Sequence, residues 1–242
     1  MTTFNIKNNL TPEQNYYQGL LPQRNKQGLY YRQSSCRSRL ANFSLSSENR
    51  RILGKTQHFS FQLLPLKNFT LTPAIQKEII LWTKKLGWNF PPSSIKTIFN
   101  KHIFNYLYLW QNSNRQTVAY SLCYFSDSIS HIAYVFYQPN LTHLNLPIRL
   151  TLQVIIDSQA KNLNFCYLGR FSPKTGYYKR NMPGFETYDY QTRTWQPLKM
   201  VERSVERSVE RSVERSEIPS NRGKIPSNRG KIPSNRGKIK IN

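Results

Sequence analysis

The sharpest pattern in the chain is helical. Between residues 72 and 87, Ile75, Ile79, Trp82 and Leu86 recur every third or fourth position and share one face. Thr72 supplies a cap, Pro73 suits the first helical position and Gly87 marks the end. A shorter helix follows around Ser94–His102. The period then changes. "NYLYLW" (105–110), "RQTVAYSLCYF" (115–125) and "SHIAYVFYQP" (130–139) read as three strands, the last stopped by Pro139. Helical spacing returns over 147–161, opened by Pro147, with Ile148, Leu152, Ile155 and Gln159 in one stripe. "NFCYL" (164–168) is a fourth strand. The order β-β-β-α-β makes the hairpin strands antiparallel and the two strands flanking the helix parallel, joined by a crossover. The expected fold class is therefore α/β with a mixed sheet.

Residues 16–60 are patterned weakly. They are aromatic and Arg-rich, with short strands and a helix opening at "SENRR", capped by Ser46 or Ser47. From Val201 the chain reads VERS four times, then IPSNRGK three times. Repeats this short, with no aromatic residue, cannot build a varied core, so 201–242 is expected to be disordered.

Charge narrows the partners. The chain of 242 residues carries a formal net charge of +23. The tail accounts for only +6 of it; residues 1–200 hold 24 basic against 7 acidic side chains, a net of +17. A body this basic suits a polyanion, and nucleic acid is the commonest. No basic amphipathic helix, apolar leader or spanning segment stands out, so no membrane partner and a cytoplasmic location are expected. Cys36, Cys123 and Cys166 are an odd set without short spacing, which fits a reducing compartment and no disulfide framework.

Hydrolytic and metal chemistry find little support. There is no nucleophile elbow, no paired catalytic carboxylates and no HExxH. "HLNLPIR", which opens the 147–161 helix, lacks the glycine-rich turn that cradles a pyrophosphate on backbone N–H groups, so coenzyme A is disfavoured. His131 and His143 have no spaced partner and read as structural. Trp82, Trp88 and Trp110 read as core.

The second half resembles the arginyl-tRNA–protein transferases, including the bacterial leucyl-transferring branch. "YVFYQP" (Tyr134–Pro139) is similar to the family's aromatic-Tyr-x-Pro strand end. Tyr167-Leu168-Gly169 and Tyr178-Lys179 match its Tyr-Leu-Gly and Tyr-Lys elements, and Glu186 falls at the family's distance, with Gly184 in place of a proline. In the first half, "FSLSSENRR" keeps Phe43, Ser46, Arg50 and Arg51, with Asn49 for a Gln. The family also has a Gly-Phe-Arg-like segment and a cysteine cluster, of which "SSCRSR" retains only Cys36. A lone thiol cannot hold zinc or an iron–sulfur cluster, so no metal and no cofactor are expected.

The resemblance implies an N-acetyltransferase (GNAT)-like mixed sheet over 71–200, a small N-terminal acceptor-recognition domain over 1–70, and the repeat tail. It implies transfer of Arg or Leu from a charged tRNA to the N-terminal amine of a protein with an acidic first residue, by a monomer. The donor would lie where the two parallel strands splay. Tyr167, Gly169, Tyr178, Lys179 and Glu186 are the implied catalytic set. Tyr31, Arg32, Cys36, Arg50, Arg51, Tyr134, Tyr137 and Arg180 are the implied substrate-binding set. The residues alone leave three readings open. Tyr178 either stacks on a base or packs under the sheet. Glu186 orients Lys179 or Arg180, accepts a proton, or forms a structural salt bridge. Arg50 and Arg51 are a binding pair or a solvated face. Two other functions fit the same scaffold: a non-catalytic RNA-binding protein, or an acyltransferase with another donor.

Overall fold

The computed structural model describes residues 5–7, 9–24, 26–100, 103–172 and 176–197. The repeat tail, His102 and Lys174 lie outside the described residues. In chain order the strands are β1 (Asn5–Lys7), β2 (Leu20–Pro22), β3 (Leu29–Arg32), β4 (Ser35–Arg39), β5 (Ser60–Pro65), β6 (Tyr106–Gln111), β7 (Thr117–Phe125), β8 (Ile129–Tyr137), β9 (Phe165–Arg170), β10 (Phe185–Asp189) and β11 (Thr194–Pro197). The helices are α1 (Pro12–Tyr17), α2 (Ser47–Lys55), α3 (Pro73–Lys85), α4 (Pro92–Asn100) and α5 (Leu146–Ala160).

Eight strands form one sheet in the order β11-β10-β4-β9-β8-β7-β6-β5, and β1-β3-β2 form a small second sheet. Every pairing among them is antiparallel except β8 with β9, which α5 connects as a crossover. The fold is α/β with a mixed sheet. Residues 1–198 make one compact unit. β4 and β5, both from the first 70 residues, are strands of the same large sheet.

Pleat alternation divides the core. On one face Tyr108, Ala119, Cys123, Ile132, Cys166 and Leu168 meet Leu150, Val154 and Ile155 of α5 and Ile52 of α2. On the other, Leu107, Tyr120, Leu122 and Phe136 meet Ile79 and Trp82 of α3 and Ile95, Ile98 and Phe99 of α4. The local rules explain the helices. Thr72 Oγ1 accepts from Ile75 N at 3.3 Å, and Gly87 adopts φ 72° just past α3. Ser46 and Asn49 complete a reciprocal capping box on α2.

The stripe proposed for α5 needs correction. Gln159 is exposed, and burial is wider, taking in Arg149, Thr151 and Ser158. Polar pairs along the helix make this tolerable. Arg149 bonds Gln153 at 2.6 Å, Gln153 bonds Asp157 at 2.7 Å, and Asp157 accepts from Tyr108 at 2.9 Å.

Candidate functional site at the divergence of two parallel strands

β8 and β9 are paired only at Ile129–Phe165, Ser130–Cys166 and His131–Tyr167. Each strand carries an irregularity immediately afterwards. In β8, Leu122 and Cys123 of β7 face Tyr134 and Ile132, so Ala133 is an extra residue. In β9, Cys36 and Arg37 of β4 face Gly169 and Tyr167, so Leu168 is an extra residue. A bulge bends and twists its own strand. Two of them at the same level, on neighbouring strands, turn the pair apart.

The gap is a cavity of about 350 Å³. That volume suits a small ligand or the end of a larger one. Ile132–Phe136 line one side, and Leu168, Gly169 and Arg170 the other. Tyr31 of β3, Trp88 and Phe90 beyond α3, Thr151 of α5, and Tyr178 and Lys179 close it. The walls are rich in aromatic rings, and Arg170 and Lys179 bring positive charge to them. No carboxylate is among the described lining residues.

The field of Arg24 and Arg170 reaches the wall. Burial raises the phenol of Tyr31 above its ordinary value, and these two guanidiniums partly offset the effect. Arg24 also stacks over Phe90, 4.5 Å from its ring centroid, and donates to the Asn89 carbonyl at 3.0 Å. Burial likewise raises Tyr134.

The 3₁₀ turn Tyr177–Asn181 brings Lys179 back to the end of β9. Its Nζ donates to the Leu168 carbonyl at 2.6 Å and the Arg170 carbonyl at 2.9 Å. Burial holds the ammonium below the usual lysine value, and the nearby Cys36 thiol pushes the other way. Gly169 lies between these carbonyls at φ 77°, a conformation that costs other residues.

The implied site residues divide. Tyr31, Tyr134, Gly169, Tyr178 and Lys179 line the cavity. Tyr178 packs against the main core and its hydroxyl hydrogen-bonds Thr151, so it presents a flank and is not a free stacking platform. Tyr167 is fully buried beside Tyr16 and is not among the lining residues. Tyr137 is buried and meets Trp88 edge-on. Arg180 covers the Tyr177 ring at 3.6 Å.

Glu186 is held by two arginines of β4. It accepts from Arg37 Nε at 2.8 Å and lies 3.6 Å from Arg39. Arg37 is itself clamped between Phe165 and Trp195, with ring centroids 3.6 and 4.2 Å from its Cζ. Of the readings open for Glu186, the salt bridge is the one the geometry forms. Cys36 is buried, its thiol pointing at the Gly169 carbonyl at 3.3 Å, and burial pushes its pKa up to about 11. Arg32 is exposed and lies over the Tyr190 ring. Arg50 and Arg51 sit on the exposed face of α2, away from the cavity lining. Arg51 pairs with Glu48, and Arg50 donates to the Leu45 carbonyl at 2.5 Å.

Three lining residues escape the sequence patterns. Trp88 is 40% exposed at the cavity, not in the core, while Trp82 and Trp110 are buried as expected. Its signal was its place immediately after Gly87, beyond the last turn of α3. Arg170 continues a strand that the pattern ended at Leu168. His131 is in β8 as expected, yet it faces the cavity, with its Nδ1 2.7 Å from the Tyr16 hydroxyl. Nothing in sequence spacing links residue 16 to residue 131.

Among the described residues no cluster of His, Cys, Asp or Glu could hold a metal ion, and no helix is long and apolar enough to cross a membrane. No protein-family model and no curated protein matches the chain. Solved structures offer distant likenesses. L-PGS from Bacillus licheniformis has TM-score 0.40 and 11% identity, over 62% of this chain and 51% of that one. The C-terminal domain of an Agrobacterium fabrum protein assigned as a lysylphosphatidylglycerol synthetase has TM-score 0.43 and 12% identity, over 68% and 57%. A GCN5-related glucosamine N-acetyltransferase region of a fungal multi-domain β-N-acetylglucosaminidase has TM-score 0.43 and 11% identity, over 64% and 20%. The chain spans about half the length of the first two and a fifth of the third. At these scores the likeness says nothing about activity.

Proposed function

We propose that the chain is an aminoacyl-tRNA–protein transferase, moving Arg or Leu from a charged tRNA to the N-terminal amine of a protein with an acidic first residue. The observation that carries this reading is the aromatic cavity where β8 and β9 part, with Arg170 and Lys179 on its wall. The resemblance in motif order over roughly residues 16–190 supports it, as does a body of net charge +17.

The chemistry asks little of the protein. An aminoacyl ester is already activated, and the incoming amine is itself the nucleophile. What remains is to place the two, relieve the nitrogen of its protons and stabilise charge at the tetrahedral carbon. Trp88 and Phe90 offer faces for the terminal bases of the RNA, and Arg24 and Arg170 offer charge for its phosphates. Lys179 supplies a fixed positive charge at the strand end. The start of α5 suits coenzyme A poorly. Asn145 is left-handed at φ 60°, makes no side-chain cap, and is followed by Leu146 and Pro147, where a phosphate cradle would need glycines and free N–H groups.

The test is a transfer assay with the full chain, tRNA charged with radiolabelled Leu or Arg, and a peptide beginning with Glu. Label is expected on the peptide. RNA binding without transfer supports a non-catalytic RNA-binding protein, and acetyl-CoA binding without RNA binding supports another donor. Within a working assay, Trp88→Ala is expected to weaken RNA binding by roughly 10-fold to 100-fold, the worth of one stacked base.

A further inference from the structure

We propose that His131, positioned by Tyr16, is the proton-transferring residue of this cavity, and that the reacting carbonyl sits over the Cα of Gly169; the proposal rests on the transferase reading. The geometry comes from the space over Gly169 at the strand end. A side chain at residue 169 would begin 3.6 Å from His131 Nε2 and 3.9 Å from Lys179 Nζ. Glycine leaves that place open. A substrate group entering it meets an imidazole nitrogen on one side and an ammonium on the other, the arrangement that acyl transfer needs.

His131 is built into the fold as a fixed group. It is the last β8 residue paired to β9 before the strands part, and it is 4% exposed. Its Nδ1 is 2.7 Å from the hydroxyl of Tyr16, which is itself fully buried. Burial keeps the Tyr16 phenol well above its ordinary value, so it serves as a hydrogen-bond partner that retains its proton. Tyr16 comes from α1, Tyr124 faces His131 from β7 and Tyr167 from β9. Glu13 bonds Tyr124 at 2.5 Å, Lys179 approaches from the turn after β9, and the ring of Phe104 packs at 6.3 Å.

The proton balance closes without a further reagent. The acceptor arrives as a free amine, having released one proton to water. In the tautomer whose Nδ1–H donates to the Tyr16 oxygen, Nε2 is basic. The amine nitrogen bonds the ester carbon, and Nε2 takes a proton from that nitrogen. The carbon–oxygen bond to the ribose breaks, and the same proton passes to the departing ribose oxygen. The products are an amide and an uncharged tRNA, and the imidazole returns to its starting form.

His131→Gln and Tyr16→Phe test this. In an enzyme that transfers, His131→Gln is expected to lower kcat about 100-fold or more while KM stays within about threefold, and to remove the acidic limb of the pH–rate profile. Tyr16→Phe is expected to lower kcat less and to shift that limb. A His131→Gln enzyme that keeps its kcat and its acidic limb overturns the proposal. A wild type that transfers nothing defeats the transferase reading instead. In that case the seat is checked with 3′-leucylamino-3′-deoxyadenosine. Binding that moves the Nε2 nitrogen resonance of His131 in the wild type supports the placement, and binding without movement, or no binding, overturns it.

Discussion

At the scale of single residues, Lys179 and Cys36 show how burial decides what a reactive side chain does. Burial lifts the Cys36 pKa from 9.0 to about 11. Two units reduce the thiolate fraction near neutral pH about 100-fold. Cys166 is pushed higher still, to about 12. Iodoacetamide at pH 8 is therefore expected to leave the native protein essentially unlabelled and to modify all three cysteines in urea. Raised thiol pKa values mean that the fold holds these protons more tightly than the unfolded chain, so stability falls as pH rises above about 9. Lys179 is the opposite case. Its lowered value means that the fold binds its proton less tightly, so its own contribution grows as pH rises toward 10.5. Arg50 and Arg51 lie on the exposed face of α2, outside the cavity lining. Replacing either by Ala is expected to leave the chemical step alone and to lower the salt slope of RNA binding by about one.

Glu186 belongs to stability. Its carboxylate and the Arg37 guanidinium are both almost fully buried. Glu186→Ala leaves an unmatched buried charge and is expected to cost about 3–5 kcal/mol, read as a fall in Tm of roughly 10 °C. The motif match at 186 was legible in the sequence. What was not legible is the partner, because Arg37 lies 149 positions away and meets Glu186 only through the β4–β10 pairing.

At the scale of elements, three strands, α5 and a parallel fourth strand could be read from periodicity and punctuation alone. Ends moved by one or two residues, as at β9, which runs on to Arg170. The places where reading failed share a cause. β4 and β10 are short, and they pair with each other from far apart in the sequence, so no local period announces that pairing. The bulges at Ala133 and Leu168 are invisible for the same reason: a bulge is defined by what faces it. They nevertheless make the cavity. Gly169→Ala tests the strand end directly. Its φ of 77° makes the change cost about 1–2 kcal/mol, and the added methyl fills the seat between His131 and Lys179. A modest fall in Tm with a disproportionate loss of transfer is expected. Gly184 answers to a different constraint. It stands at φ 61°, where a Cβ would collide with the Arg39 carbonyl, so this chain needs glycine there.

At the scale of the whole molecule, charge and topology dominate. The body's excess of 24 basic over 7 acidic residues predicts RNA affinity that falls steeply with salt, whatever the sequence of the RNA. Truncation after residue 200 removes only +6 of the charge and is expected to reduce that dependence without abolishing it. Topology carries a consequence for how the molecule is made. β4, at Ser35–Arg39, is flanked by β9 and β10, which lie more than 120 positions downstream. A nascent chain still short of Phe165 thus emerges from the ribosome with both margins of that strip unmatched. Closure of the sheet waits until β9 and β10 have emerged, and until then the chain is a natural client for chaperones.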